Sequence, residues 1–144
     1  MPRSEITRSD LTLYPKSGIT YDTEASARRK ASLYWIGSSL KDISRFPAGV
    51  QRSVGFALSA AQYGGKHPSA KPWKGEGPGV LEIVKDHDSD TYRAIYTVRF
   101  ASAVYVLHAF QKKSPRGITT RQSDMASVRE RLKIAQRDYE ERHA

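Results

Sequence analysis

Three strand-like runs follow one another between residues 80 and 111, and they restrict the fold more than any other feature of the chain. They read VLEIVK, TYRAIYTVRF and VYVLHAFQ, and short polar connections separate them. Short connections join antiparallel neighbours, so the segment predicts a three-stranded antiparallel meander. Alternation in the middle run predicts two faces. One carries Tyr92, Ala94, Tyr96 and Val98, and the other carries Arg93, Ile95, Thr97 and Arg99.

Helical patterns lie on both sides of the meander. A strand over 33–36 is followed by a predicted helix over 39–45, with a serine suited to cap it. A second helix begins near Pro47 and ends at Gly64-Gly65. Its apolar positions recur at spacings of three and four. They are Val50, Val54, Ala57, Leu58 and Ala61.

The remaining segments complete the predicted architecture. Three prolines and three glycines over 66–79 predict a loop, and a last helix is predicted over about 123–141. The resulting fold class is α+β: a small twisted, mainly antiparallel sheet with an N-terminal helical hairpin and a C-terminal helix. We expect the helices to cover one face of this sheet and the other face to stay open.

Composition divides the chain into two regions. Residues 1–27 hold three cations and four acids and few apolar residues, which predicts a polar arm that is extended or partly disordered. Residues 28–144 hold 21 cations and 11 acids and are predicted to form a single domain. An excess of +10 on one small domain indicates a polyanionic partner, usually nucleic acid.

Cysteine usage and the N-terminus bear on the compartment. The chain has no cysteine, which removes disulfides and thiolate metal sites. The first residues show no apolar stretch of signal-peptide length, and no run is long enough for a membrane span. The four histidines are scattered without ligand spacing. We therefore expect a cytoplasmic protein that uses no metal or other cofactor and contacts no membrane.

Three motifs in order carry a family resemblance: AKPWKG at 70–75, DTYRAIYTV at 90–98 and VYVLHAFQKKSPRGITT at 104–120. With WIGSSLKDISRFP near the start, they resemble toxins of the RelE/ParE superfamily, in its HigB-like, phage-derived branch. The resemblance covers about residues 31–140. It implies that the domain over 28–144 is RelE-like.

The resemblance also implies a function. RelE-like and HigB-like members are toxins of type II toxin–antitoxin systems that cleave mRNA in the ribosomal A site without a metal ion. The expected activity is thus a ribosome-dependent mRNA endoribonuclease that arrests translation. The expected partners are the ribosome, mRNA and a helix-turn-helix, HigA-like antitoxin in an oligomeric complex. Two alternatives stay open: a ParE-like gyrase inhibitor without enzymatic activity, and a non-toxic phage binding protein of the same fold.

Residues of the family site can be carried over one by one. The catalytic positions implied by the resemblance are Lys71, Lys74, Arg93, Lys112 and Lys113. Fixed cations aimed at a scissile phosphate stabilise the charge that develops in the transition state. The chain departs from some members in having no tyrosine after Lys113. That departure leaves the general acid unassigned.

Several other residues have both a functional and a structural interpretation. Glu82 either orients a lysine or acts as a base, or else forms a salt bridge to Arg93 across adjacent strands. His108 is a possible catalytic group, but strict alternation places it on the apolar face with Val104 and Val106. Trp73 either stacks on a base or anchors its loop to the sheet. The candidates for RNA binding are Trp73, Arg116, Lys66 and Arg99.

Overall fold

The computed structural model describes residues 30–112 and 118–144, with side chains from residue 122 onward in the second range. The predicted arm over 1–27 lies outside the described residues. The elements, in chain order, are β1 (Ser32–Trp35), α1 (Ser39–Ser44), α2 (Ala48–Gln62), β2 (Ala70–Pro72), β3 (Val80–His87), β4 (Asp90–Phe100), β5 (Ala103–Lys112) and α3 (Ile118–Arg142). Within these ranges no helix is both long and apolar enough to cross a bilayer.

The five strands form one sheet in the order β1-β5-β4-β3-β2. β1 runs parallel to β5, and every other neighbouring pair is antiparallel. The predicted α+β class and the meander of β3, β4 and β5 are therefore confirmed. The prediction of an unbroken loop over 66–79 is wrong, because Ala70–Pro72 pairs with β3 as an edge strand. Proline is tolerated at such an edge, where its missing N–H faces away from the ladder.

A tight turn joins β3 to β4. His87 pairs with Asp90, and the two residues between them have positive φ angles, 49° at Asp88 and 72° at Ser89. Two positive φ values define the type I′ hairpin, whose twist matches that of the flanking strands. The polar connection predicted between these two strands is therefore a two-residue turn, Asp88 and Ser89.

The second turn position predicts a stabilising substitution. The φ of 72° at Ser89 is sterically unfavourable for a residue with a Cβ, whereas glycine adopts this conformation freely. We expect Ser89→Gly to raise the free energy of unfolding by about 0.5 kcal/mol, less than the full steric gain because glycine also has more entropy when unfolded. Urea titration measures the change. A lower stability in the glycine variant would contradict the turn assignment.

Helices lie on both faces of the sheet, contrary to the expectation of one covered face. The first core, between the sheet and α1 with α2, contains Phe46, Val50, Val54, Leu58, Tyr92 and Tyr96 among its buried residues. The second core, between the sheet and α3, contains Ile95, Tyr105, Leu107, Val128 and Leu132. Helix α3 packs mainly on β5 and to a smaller extent on β4.

Neither serine at the start of α1 caps the helix with its hydroxyl, in contrast to the prediction. The Ser38 hydroxyl donates to a carboxylate oxygen of Asp42 at 2.8 Å. The Ser39 hydroxyl is buried and donates to the main-chain oxygen of Val106 at 3.2 Å. Ser39 thus attaches α1 to the sheet instead of capping it. The predicted glycine at the end of α2 is confirmed, since Gly64 has a φ of 82°.

Candidate functional site

A buried carboxylate holds Arg93 on the sheet face that also carries α3. Glu82 on β3 has a side chain only 9% exposed, and Arg93 on β4 donates a short hydrogen bond to it through Nη1. The Arg93 side chain keeps 23% of its surface exposed. Of the two interpretations of Glu82, the structure shows the salt bridge. Arg93 is therefore a fixed cation whose accessible side faces solvent.

Two of the predicted lysines share this face with Arg93. Lys71 on β2 lies directly opposite Glu82, and Lys112 ends β5 opposite Thr91, two positions beyond the partner of Arg93. Both lysines are exposed. Ladder spacings of about 4.8 Å between strands and 3.3 Å along them put the Cα atoms of Lys71 and Arg93 roughly 12 Å apart. Long side chains span such a distance to a common phosphate group.

Trp73 and Lys74 follow directly after β2. The Trp73 N–H donates to the oxygen of Val80 at 2.9 Å, which extends the β2–β3 ladder by one residue. Its ring packs against the second core, and its Nε1 is buried without a hydrogen-bond partner. Of the two interpretations of Trp73, the anchor is the one the structure shows. Lys74, the next residue, is exposed.

The loop over 74–79, named the glycine loop here, is held by two arginines. Arg99 donates through Nη2 to the main-chain oxygens of Glu76 at 2.5 Å and Pro78 at 3.0 Å. Arg129 on α3 donates through Nε to the Glu76 carboxylate at 3.1 Å. Arg99, predicted to bind RNA, therefore also holds the loop that follows Lys74.

The other predicted site residues are Lys66, Lys113 and Arg116. Lys66 is exposed and lies between the C-terminal end of α2 and β2. Lys113 and Arg116 lie outside the described residues. The predicted set is thus brought together in part: Lys71, Arg93 and Lys112 share one face, and Glu82 lies among them.

His108 lies on the opposite face from the one that strict alternation predicts. Adjacent residues Ile95 and Tyr96 on β4 pair with His108 and Val106, so β5 has one extra residue between these positions. Such a bulge moves the following side chains to the other face. His108 therefore faces α3 and lies with Phe110, at 5.3 Å between ring centroids, and no longer shares a face with Val106.

Both ring nitrogens of His108 have partners on α3. Nε2 lies 2.9 Å from Oδ1 of Asp124, and Nδ1 lies 3.2 Å from Nη1 of Arg131. A guanidinium has no lone pair to offer, so the contact requires Nδ1 to accept and Nε2 to donate to the carboxylate. Arg131 also donates to the main-chain oxygen of Leu107 within the bulge at 2.9 Å. These contacts make His108 part of the attachment of α3 to β5.

The contact of Arg131 with the start of α1 depends on a glycine. Gly37 has a φ of 58°, and a Cβ built there would lie 2.8 Å from Nε of Arg131. Arg131 also donates to the Ser38 hydroxyl at 3.3 Å. The sequence analysis did not identify Asp124, Arg129 and Arg131. Charged residues on a helix resemble ordinary solvent-exposed residues, and the neighbouring sequence does not indicate that they bind residues far away in the chain.

His67 lies after α2, and its environment leads us to expect that the stability of the protein depends on pH. Burial, with a smaller contribution from Lys85, lowers the pKa of His67 below its ordinary 6.5. Its Nδ1 accepts the Ser69 N–H at 3.0 Å, which protonation of Nδ1 would prevent. Because the unfolded chain binds this proton more readily, the contribution of His67 is present above about pH 6.5 and is lost as the pH falls through the folded-state value.

We expect His67→Asn to flatten this dependence. Asparagine keeps an acceptor for an N–H two residues on and does not titrate. Urea titrations at several pH values between about 5 and 7.5 measure the slope. His87→Asn on the β3 hairpin is the matched control, and it should leave the slope attributed to His67 in place. An unchanged slope in His67→Asn would assign the dependence to another group.

Comparison with known proteins identifies the family. The described residues form a small α+β domain with an open sheet that bears Arg93 and its neighbouring lysines. The family whose model matches the chain is of the RelE-like, toxin-like class. The family model described as phage-derived protein Gp49-like (DUF891) matches residues 41–133, from α1 into α3. The chain belongs to this family. No curated protein and no solved structure gives a significant match.

Proposed function

We propose that the protein is the toxin of a type II toxin–antitoxin system and that it cleaves mRNA on the ribosome. The observation that carries the proposal is Arg93, fixed by the buried Glu82 on an accessible sheet face with Lys71 and Lys112. Membership of the Gp49-like family supports the toxin class. A fixed cation flanked by lysines is suited to a phosphodiester whose negative charge rises during reaction.

The reaction proposed is a transfer within the RNA backbone. The 2′-oxygen forms a bond to the adjacent phosphorus, the bond from phosphorus to the 5′-oxygen breaks, and the products carry a 2′,3′-cyclic phosphate and a 5′-hydroxyl. Arg93 and Lys112 stabilise the equatorial phosphoryl oxygens. The 2′-hydroxyl proton passes to Lys71 or Lys74, and the departing 5′-oxygen takes up a proton. Glu82 keeps Arg93 in place and does not itself transfer the proton.

The partners proposed follow from the same class of protein. A HigA-like, helix-turn-helix antitoxin encoded by a neighbouring gene would bind the toxin in an oligomeric complex and restore growth. The basic surface of the domain favours a complementary acidic or helical segment of this antitoxin. Lys113 and Arg116 remain proposed contributors to catalysis and RNA binding, respectively.

Expression of the protein alone in bacteria tests the proposal. We expect growth arrest, with new mRNA 5′-hydroxyl ends that appear only where ribosomes translate. Whichever of Lys71→Gln and Lys74→Gln removes the proton acceptor should reduce the number of ends by about 10²-fold or more, the range for loss of a proton-transfer group. Lys41→Gln on α1 is the matched control. Growth arrest with altered DNA supercoiling and no new RNA ends would instead indicate a gyrase inhibitor.

A further inference from the structure

A second group of cations continues beyond the Arg93 face, across the glycine loop and onto α3. Lys74 opens the loop, Arg99 and Arg129 hold it, and Lys133 follows Arg129 by one helical turn. The side chain of Arg129 is 54% exposed and Lys133 is exposed. Residues four apart on a helix lie about 6 Å from each other, so these two charges are neighbours on the same side of α3. Lys74, Arg99, Arg129 and Lys133 are called the basic track.

The glycine loop brings this track next to the proposed site. A Cβ on Gly75 would lie 3.4 Å from the methyl carbon of Met125, which places the loop against α3. The Glu76 side chain is only 10% exposed beneath Arg129, so its charge is turned inward. Residues Lys71 and Lys74 are three positions apart and join the Arg93 face to the loop. Cations therefore continue from the sheet to the helix, with the charge of Glu76 withdrawn from the surface.

We propose that the basic track binds the sugar–phosphate backbone of single-stranded RNA that extends beyond the nucleotides at Arg93. This inference rests on the proposed function and adds the path by which the substrate leaves the reaction site. Single-stranded RNA binding by non-specific proteins uses such grooves lined with cations. The expected occupant is the message itself, because the track begins directly beside the site.

Lys133 offers the sharpest test, since no hydrogen bond or ion pair holds it within the described structure. Two 2′-O-methyl oligonucleotides, which resist cleavage, serve as probes of about four and about twelve nucleotides. Their affinities for the wild-type protein, Lys133→Gln and the α1 control Lys41→Gln are measured by fluorescence anisotropy at several salt concentrations. An RNA hairpin of equal length is the third probe.

For the longer strand, the logarithm of the association constant falls linearly with the logarithm of the salt concentration. We expect Lys133→Gln to reduce the magnitude of this slope by about 0.7 and to weaken binding of the longer strand roughly fivefold at about 0.1 M salt. Binding of the short strand should not change, and Lys41→Gln should match the wild-type protein. Equal binding of the longer strand by Lys133→Gln and wild type would overturn the track while leaving the proposed function intact. Loss seen only with the hairpin would overturn the single-stranded assignment. Failure of the wild-type protein to bind any probe would also overturn the track, whereas the proposed function is tested separately by the growth and RNA-end assay on translating ribosomes.

Discussion

Replacing Arg93 with glutamine should lower the free energy of unfolding by about 2–4 kcal/mol and abolish growth arrest. The Glu82 carboxylate, 9% exposed, would lose its partner while remaining buried. Breaking a buried ion pair in this way typically costs about 3–5 kcal/mol. The smaller range applies because the Arg93 side chain is partly exposed. Urea titration and a growth assay measure the two effects.

A second substitution separates catalysis from stability. Glu82→Gln removes the charge and keeps an acceptor for Arg93, so we expect a loss of about 1 kcal/mol or less and continued growth arrest. The double variant Glu82→Gln, Arg93→Gln should be more stable than Arg93→Gln alone and still not arrest growth. The exposed Arg52→Gln on α2 is the control for loss of a positive charge and should affect neither measurement.

The outcomes distinguish the roles of the pair. Loss of growth arrest in Glu82→Gln with stability retained would make Glu82 the base and contradict its assignment as a positioning residue. Growth arrest by the folded double variant would remove Arg93 from the site. If the cations of the site only repelled one another, removal of any one of them would leave the free energy of unfolding unchanged or raise it. The pairing with Glu82 reverses this expectation for Arg93.

Replacing Gly37 with alanine should lower the free energy of unfolding by about 2–4 kcal/mol. An L-residue at a φ of 58° costs about 1–2 kcal/mol. The new Cβ would also displace the Arg131 guanidinium from Leu107 and His108. Loss of partners for buried acceptors adds about 1–3 kcal/mol. Thermal and urea unfolding measure the total.

A double-mutant cycle tests whether Arg131 transmits the effect. In an Arg131→Met background the clash is absent, so Gly37→Ala should cost only the backbone contribution of about 1–2 kcal/mol. Gly55→Ala in α2 is the matched control, since nothing lies within 4 Å of its added Cβ. It should stabilise the protein by about 0.5–1 kcal/mol. Equal costs of Gly37→Ala in the two backgrounds would exclude the contact with Arg131.

Much of the fold could be predicted because its signals are local. Alternation identified the buried face of β4, and spacings of three and four identified the buried stripe of α2. The edge strand β2 was missed because three residues containing Pro72 carry too little pattern to outweigh the surrounding glycines. The position of His108 was missed for a different reason. The bulge depends on how β5 aligns with β4, and alternation within one strand contains no information about an extra residue.

For the candidate site, the sequence by itself determined the residue types and placed Arg93 on the middle strand of the meander and Lys112 at the end of its last strand. Tertiary structure alone decided which charges are partners. It paired Glu82 with Arg93, and it placed Arg131 and Asp124 on the two ring nitrogens of His108. The physical reason is the difference in sequence separation between the interactions involved. Periodicity and turn chemistry act within a few residues, whereas the partner of a buried charge is set by strand register and helix packing across tens of residues.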